Sequence, residues 1–172
     1  MNIAVIFGGR SDEHEVSRSS AVNVIKGLDS DRYEITKIGI TKDGRWYLTE
    51  ASTDEIASGA WENRPDNRQA CIPADPTVHG ILVFDEEDRA TAKRIDCIIP
   101  VLHGDNGEDG TVQGLFELAE IPYVGPGVKA SANGMDKSVT KIIVGETGIT
   151  QAKYCVIKKK DFADDREGEI MN

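Results

Sequence analysis

The sequence is short of cysteine, of basic charge, of long apolar runs and of the glycine signatures of nucleotide loops. Each shortage removes a class of function. Cys71, Cys97 and Cys155 are the only three cysteines among 172 residues. They stand far apart, with no CxxC or Cys/His ligand spacing, so neither a zinc site nor a disulfide framework is supported. Cys97 and Cys155 lie in apolar runs and are expected as buried small hydrophobes. Lysine and arginine number 20 against 30 acidic residues, a net charge of −10. That balance argues against a broad nucleic-acid or anionic-membrane face. It leaves room for a small anion site made of backbone N–H groups and one or two lysines. No apolar run reaches membrane-spanning length. The chain enters its first strand with no basic n-region or signal-type stretch, so the cytoplasm is the expected compartment.

The loop after that first strand also lacks what nucleotide loops carry. Residues 7 to 17 read FGGRSDEHEVS. A dinucleotide fingerprint needs G-x-G-x-x-G opening a helix, and only Gly8-Gly9 is present. Nothing in the chain matches the P-loop pattern G-x-x-x-x-G-K-[ST]. Asp12, Glu13 and Glu15 follow the glycines at once and would repel a pyrophosphate. The turn is therefore suited to a cation or an amine. Its competing reading is structural: Asp12 and Glu15 have capping-box spacing, and acids complement a helix N-terminus.

With 39% hydrophobic and 29% charged residues, the composition is that of a soluble globular protein. The length suffices for one domain and the start of another. Residues 2 to 7 read as an apolar strand of a parallel sheet covered on both faces. Ala21, Val24, Ile25 and Leu28 set a helix over residues 17 to 28. YEITKIGIT follows as a second strand, completing a βαβ unit. Asp43-Gly44, between two β-prone runs, signals a hairpin. Residues 49 to 79 read as a polar excursion with room for one short helix. Gly80 to Phe84 and residues 96 to 103 read as further strands.

The second of these ends in His103, where open α/β sheets place their ligands. GDNGEDG comes next, with glycines at 104, 107 and 110 that permit close backbone approach. Asp109 is a candidate N-cap for a helix from Thr111 to Ala119, whose apolar face is Val112, Leu115, Phe116 and Ala119. The bland alternative is a turn, a capped helix and a histidine satisfied at a strand end. Gly125-Pro126-Gly127 is the candidate domain boundary. Beyond it, residues 130 to 146 read as one helix with Gly148 at its C-terminal cap. AKYCVIK reads as a strand, and the charged DFADDREGEIMN as a new helix. Lys137 lies near a helix start, where a lysine can meet a phosphate, although most lone helix lysines are simply solvated.

FGGRSDEHEVS, VLHGDNGEDGTVQGLFELAEIPYVGPGV and ANGMDKSVTK together resemble the signature stretches of the bacterial D-alanine–D-alanine ligases, in the same order and spacing. The likeness spans essentially the whole chain and is weakest over residues 49 to 95. It implies an α/β fold. A Rossmann-like pre-ATP-grasp domain with a parallel sheet covered by helices would fill residues 1–125. The truncated beginning of an ATP-grasp domain would fill 126–172. It implies ATP-dependent joining of two D-alanines through an acyl phosphate, for peptidoglycan precursor synthesis, by the full-length protein. The 172-residue chain is expected to be inactive alone.

Carried over residue by residue, Glu15 becomes the catalytic-site carboxylate that pairs with the ammonium of the first D-alanine. His103 lines the substrate site near a D-alanine carboxylate. Val16 and Ser17 shape the pocket, and Glu108 orients the loop and His103 from behind. Lys137 becomes an ATP-phosphate lysine. The resemblance also implies Mg2+ or Mn2+, with ligands beyond the end of this chain and none within it, and a homodimer formed through the amino-terminal domain. D-alanine and ATP are the implied partners; no nucleic acid or membrane is. A D-alanine–D-lactate or D-alanine–D-serine ligase of the vancomycin-resistance type is the runner-up. A non-catalytic amino-acid-binding module is a reading of another class, and a nicotinamide-dependent oxidoreductase stands third.

Overall fold

The computed structural model describes residues 1–157. A seven-stranded sheet with strand order β6-β5-β4-β3-β2-β1-β7 organises it. Strand β1 (Asn2–Gly8) sits between β2 (Glu34–Ile40) and β7 (Cys97–Leu102) and runs parallel to both. Its run NIAVIFG is apolar throughout because both of its faces are covered. Ala4 and Ile6 face one core cluster, and Val5 and Phe7 face the other, the alternation that a pleated strand imposes.

Helix α1 (His14–Gly27) covers the Val5–Phe7 face with Ala21, Val22, Val24 and Ile25. Helix α3 (Thr111–Leu118) covers the Ala4–Ile6 face with Val112, Leu115 and Phe116. The βαβ unit and the apolar stripe of α3 match the sequence reading. The helix α1 begins at His14 rather than at residue 17. The apolar periodicity marks only the buried part of a helix, and the polar first turn escapes it.

The sheet is mixed rather than parallel throughout. Beyond β2 it continues antiparallel through β3 (Trp46–Leu48), β4 (Arg68–Cys71), β5 (Gly80–Phe84) and β6 (Ala90–Arg94). The Asp43-Gly44 hairpin joins β2 to β3, with the Gly44 N–H donating to the Thr41 carbonyl at 3.0 Å. Strands β4 and β6 carry few apolar residues; β6 has the pattern ATAKR and is largely exposed. A polar edge strand gives little periodic signal, which also protects it from edge pairing. The excursion at 49–79 holds α2 (Thr53–Ser58), a 3₁₀ turn (Ala60–Asn63) and β4. Ser52 caps α2 through a full capping box with Glu55. Trp61, fully buried, packs edge-on against Phe7 with ring centroids 5.1 Å apart.

The segment read as one helix at 130–146 is two, α4 (Val128–Met135) and α5 (Lys137–Glu146). Asp136 separates them: its carboxylate accepts from the N–H groups of Ser138 and Val139 and starts α5 afresh. Gly148, at φ 76, closes α5 as expected. Residues 152–157 have no strand pairing among the described residues, since a strand is stabilised only by a ladder. Cys155 is exposed and Cys97 half-buried, against the expectation of two buried thiols. The helix expected in DFADDREGEIMN lies outside the described residues. One compact unit comprises Met1–Met135 and a second starts at Asp136. No helix among the described residues is long and apolar enough to cross a membrane.

Candidate active site

The carboxyl ends of β1 and β7 converge, and the loops that leave them meet. Gly8 ends β1 at φ 89, and a Cβ there would stand 2.2 Å from the Ile40 carbonyl oxygen. Only glycine permits this turn. The Gly9 N–H donates to that same carbonyl at 2.9 Å. Ser17 anchors the turn from α1. Its hydroxyl accepts from the Gly8 N–H at 2.7 Å and donates to the Val101 carbonyl.

Ser11 ties the two loops together. Its hydroxyl donates to the His103 carbonyl at 2.7 Å and accepts from the Glu13 N–H at 3.2 Å. Across the cleft, Glu108 accepts from the Gly104 N–H at 2.8 Å through Oε2, and its Oε1 lies 4.0 Å from His103 Nδ1. His103 Nε2 is 3.3 Å from the Ser20 hydroxyl. Gln113 donates to the Gly107 carbonyl at 2.8 Å and holds the loop onto α3.

The result is a group of three: Glu13, His103 and Glu108 bring one ligand atom each to within 4.8 Å of one another. Two exposed carboxylates and a half-buried imidazole thus share one small volume, an arrangement whose charge suits an ammonium group. A cavity of about 240 Å³ adjoins it, walled by Gly9, Ile40, Trp46, Leu102 and Leu115, with His103 on its border.

Of the residues singled out from sequence, His103 and Glu108 stand in this group, and Glu15 does not. Glu15 Oε1 meets Lys42 Nζ, on the β2–β3 hairpin, at 2.5 Å. The hydrogen bond from Lys42 holds the Glu15 carboxyl below the usual glutamate range. Glu13 is the N-cap, outside the regular helix, with its carboxylate near His103 and Glu108, whereas Glu15 lies in the first turn and pairs with Lys42. Val16 is exposed, and Ser17 is buried with its hydroxyl occupied inside the fold; neither borders the cavity.

Asp12 does not cap α1. The N-cap position belongs to Glu13, with no side-chain cap bond, because the helix starts one residue too late for Asp12 to hold that position. Asp109 also falls one position short. Gly110, at φ 94, occupies the N-cap of α3, and Asp109 instead accepts from the N–H groups of Asn106 and Thr111. Lys137 is the first residue of α5, next to the capping Asp136. Glu13 is the residue that sequence reasoning passed over as a member of the site. Ser11, which fixes where the helix begins, was the available signal.

A family model described as the D-Ala D-Ala ligase N-terminus matches residues 2–126. The chain belongs to this family. The D-alanine–D-alanine ligase of Acetivibrio thermocellus is 45% identical over 180 residues, covering 98% of this chain and 47% of that protein. Among solved structures, the VanG D-Ala:D-Ser ligase from Enterococcus faecalis superposes with a TM-score of 0.85 at 37% identity, over 99% of this chain and 49% of that one. A D-alanine–D-alanine ligase from Bacillus anthracis complexed with ATP gives a TM-score of 0.60 at 30% identity, over 94% and 42%. The chain thus spans about half the length of the ligase-family relatives it matches.

Proposed function

We propose that the whole protein joins two D-alanines to D-alanyl-D-alanine at the expense of ATP, for peptidoglycan precursor synthesis, and that this chain supplies the first amino-acid end of the site. The convergence of Glu13, His103 and Glu108 at the carboxyl ends of β1 and β7 carries the reading. Glu13 takes the ammonium of the first D-alanine. His103 lies toward the substrate carboxylate. Glu108 fixes the Gly104 backbone and stands behind His103.

The chemistry accounts for such an arrangement. A carboxylate is a poor acyl donor until it is phosphorylated, so the γ-phosphoryl group of ATP is transferred to it first. The amine of the second D-alanine then attacks the acyl phosphate and phosphate leaves. Positioning and charge neutralisation provide most of the rate in such a transfer. An amine paired to Glu13 holds the carboxylate of the same molecule at a set distance for phosphorylation. Lys137, at the start of α5, meets an ATP phosphate. Residues 1–125 act as the pre-ATP-grasp domain, and 126–172 open the ATP-grasp domain. The protein works in the cytoplasm as a homodimer through its amino-terminal domain.

The family also uses Mg2+ or Mn2+. The residues at hand do not suit Mg2+, which demands octahedral oxygen ligands. Glu13, His103 and Glu108 mix imidazole with carboxylate, and no step here runs through a metal.

The likeness to a D-Ala:D-Ser ligase favours one second reading, in which the acceptor is D-serine. Offering D-alanine, D-lactate and D-serine together to the full-length enzyme decides it. Predominant D-alanyl-D-alanine supports the proposal, and predominant D-alanyl-D-serine replaces it. Absence of any D-alanine-dependent ATP hydrolysis rejects the ligase reading altogether.

A further inference from the structure

The turn that carries the site is gripped from beneath by a histidine to which the proposed chemistry gives no part. His14 is 1% exposed. Its Nδ1 lies 2.9 Å from the Gly9 carbonyl oxygen, and its Nε2 lies 3.1 Å from Glu62 Oε1 in the 3₁₀ turn. A carbonyl has no proton to give, so Nδ1 is the donor. The opposite nitrogen then faces a carboxylate oxygen, and that contact is a hydrogen bond when the pair holds one further proton between them.

The ring also fills the space under the turn, since a Cβ on Gly8 would come 3.0 Å from His14 Cε1. Arg18, one helical turn on, lies beside Gly59 at the head of the same 3₁₀ turn. A Cβ at that glycine would stand 2.1 Å from the Arg18 guanidinium. Arg18 thus packs against the glycine that opens the 3₁₀ turn, beside the His14–Glu62 contact.

We propose that His14, clamped by Glu62, is a positioning residue for the amino-acid site. It fixes the Gly9 carbonyl while Ile40 fixes the Gly9 N–H, so the turn cannot rotate about either peptide. Gly9 borders the cavity, and Glu13 precedes His14 directly. A displacement of the ring moves both. The excursion at 49–79 is then more than a sheet extension, because it delivers the carboxylate that holds the site's floor. The inference rests on Glu13 as the ammonium partner, and it concerns residues that touch no substrate.

The test compares Glu62→Ala, Glu62→Gln and His14→Leu in the full-length enzyme. Misplacement of a binding group by a fraction of an ångström to one ångström costs about ten- to a hundredfold. Glu62→Ala and His14→Leu are expected to raise KM for the first D-alanine about tenfold, with KM for ATP within about twofold of wild type. Glu62→Gln offers His14 Nε2 either an amide N–H or an amide oxygen at the same reach and is expected to recover most of that loss. Equal increases in both KM values, or a D-alanine KM unchanged in folded Glu62→Ala, would overturn the proposal. Should His14→Leu not fold, half-exposed Glu62 still carries the test. Should the wild type show no D-alanine-dependent turnover, the functional reading fails and the clamp is read from backbone amide shifts. Glu62→Ala must then move the signals of Gly9, Arg10 and Glu13, and an unmoved set rejects it.

Discussion

The hydroxyl of Ser17 accepts a hydrogen bond from the Gly8 N–H at 2.7 Å while donating to the Val101 carbonyl. One side chain on α1 thus joins the ends of two parallel strands. Ser17 is fully buried, so no water replaces it. Ser17→Ala leaves a donor and an acceptor unpaired and is expected to cost about 1–3 kcal/mol. Urea denaturation measures it. A stability unchanged from wild type, with a raised KM for D-alanine, would return Ser17 to the pocket-shaping role.

Gly8→Ala tests the same turn from the backbone. The substitution meets both a left-handed φ of 89 and the Ile40 carbonyl at 2.2 Å. Left-handed strain alone costs about 1 kcal/mol or more, and the close approach forces β1 and β2 apart at their ends. The expected result is a loss of at least about 2 kcal/mol in thermal or chemical unfolding. A loss below 0.5 kcal/mol, roughly the range of a neutral surface change, would mean that the turn has another conformation.

These anchors separate what was legible in the sequence from what was not. The central strands and α3 show themselves because their apolar residues repeat with the period of the element they build. Ile98, Val112, Leu115 and Phe116 are examples. The first turn of α1 does not, because Glu13, His14 and Glu15 are all polar, and its start is set by Ser11 through side-chain bonds that no periodicity records. His14 is buried although polar. Glu13 and Glu15 have the same chemistry, and only the fold separates them: Glu13 is the N-cap beside His103 and Glu108, and Glu15 pairs with Lys42. The resemblance singled out Glu15, and no periodicity in this polar turn tells it from Glu13. Strand β6 was missed because its residues face solvent. In the polar excursion, Ser52-Thr53-Asp54-Glu55 carried a readable capping signature before Ile56.

That signature gives a local prediction. Ser52 accepts from the Glu55 N–H at 3.2 Å, and Glu55 accepts from the Ser52 N–H at 2.8 Å. Ser52→Ala is expected to cost about 1 kcal/mol. Because α2 leads into the turn bearing Trp61 and Glu62, amide exchange should rise across 53–63 before the rest of the sheet opens. Uniform exchange across the fold would contradict this.

The Glu15–Lys42 pair predicts a pH effect with a definite sign. Lys42 holds the Glu15 carboxyl below its ordinary value of 4.5. A depressed carboxyl stabilises the fold above its unfolded value and ceases to do so as pH falls through its folded value. The pair is solvent-exposed, so salt screens it and its contribution is small. A carboxyl-carbon NMR titration of Glu15 should give a midpoint below 4.5 that moves up toward 4.5 in Lys42→Met. A midpoint indifferent to Lys42 would show that the two side chains do not meet in solution.

Glu13 and Glu15 can be told apart directly in the full-length enzyme. Removing a charge that pairs with a desolvated ammonium costs about 2–4 kcal/mol, roughly 30- to 1,000-fold in kcat/KM. Glu13→Gln keeps the shape and hydrogen-bonding reach of the side chain, so its loss reports charge rather than packing. Glu15→Gln removes only an exposed pair with Lys42, for which about threefold or less is expected. The ratio between the two variants is therefore the diagnostic quantity. Losses of equal size would mean that both acids act on the amine by long-range charge. A larger loss for Glu15→Gln would place the ammonium on the hairpin side of α1 and leave Glu13, His103 and Glu108 without substrate.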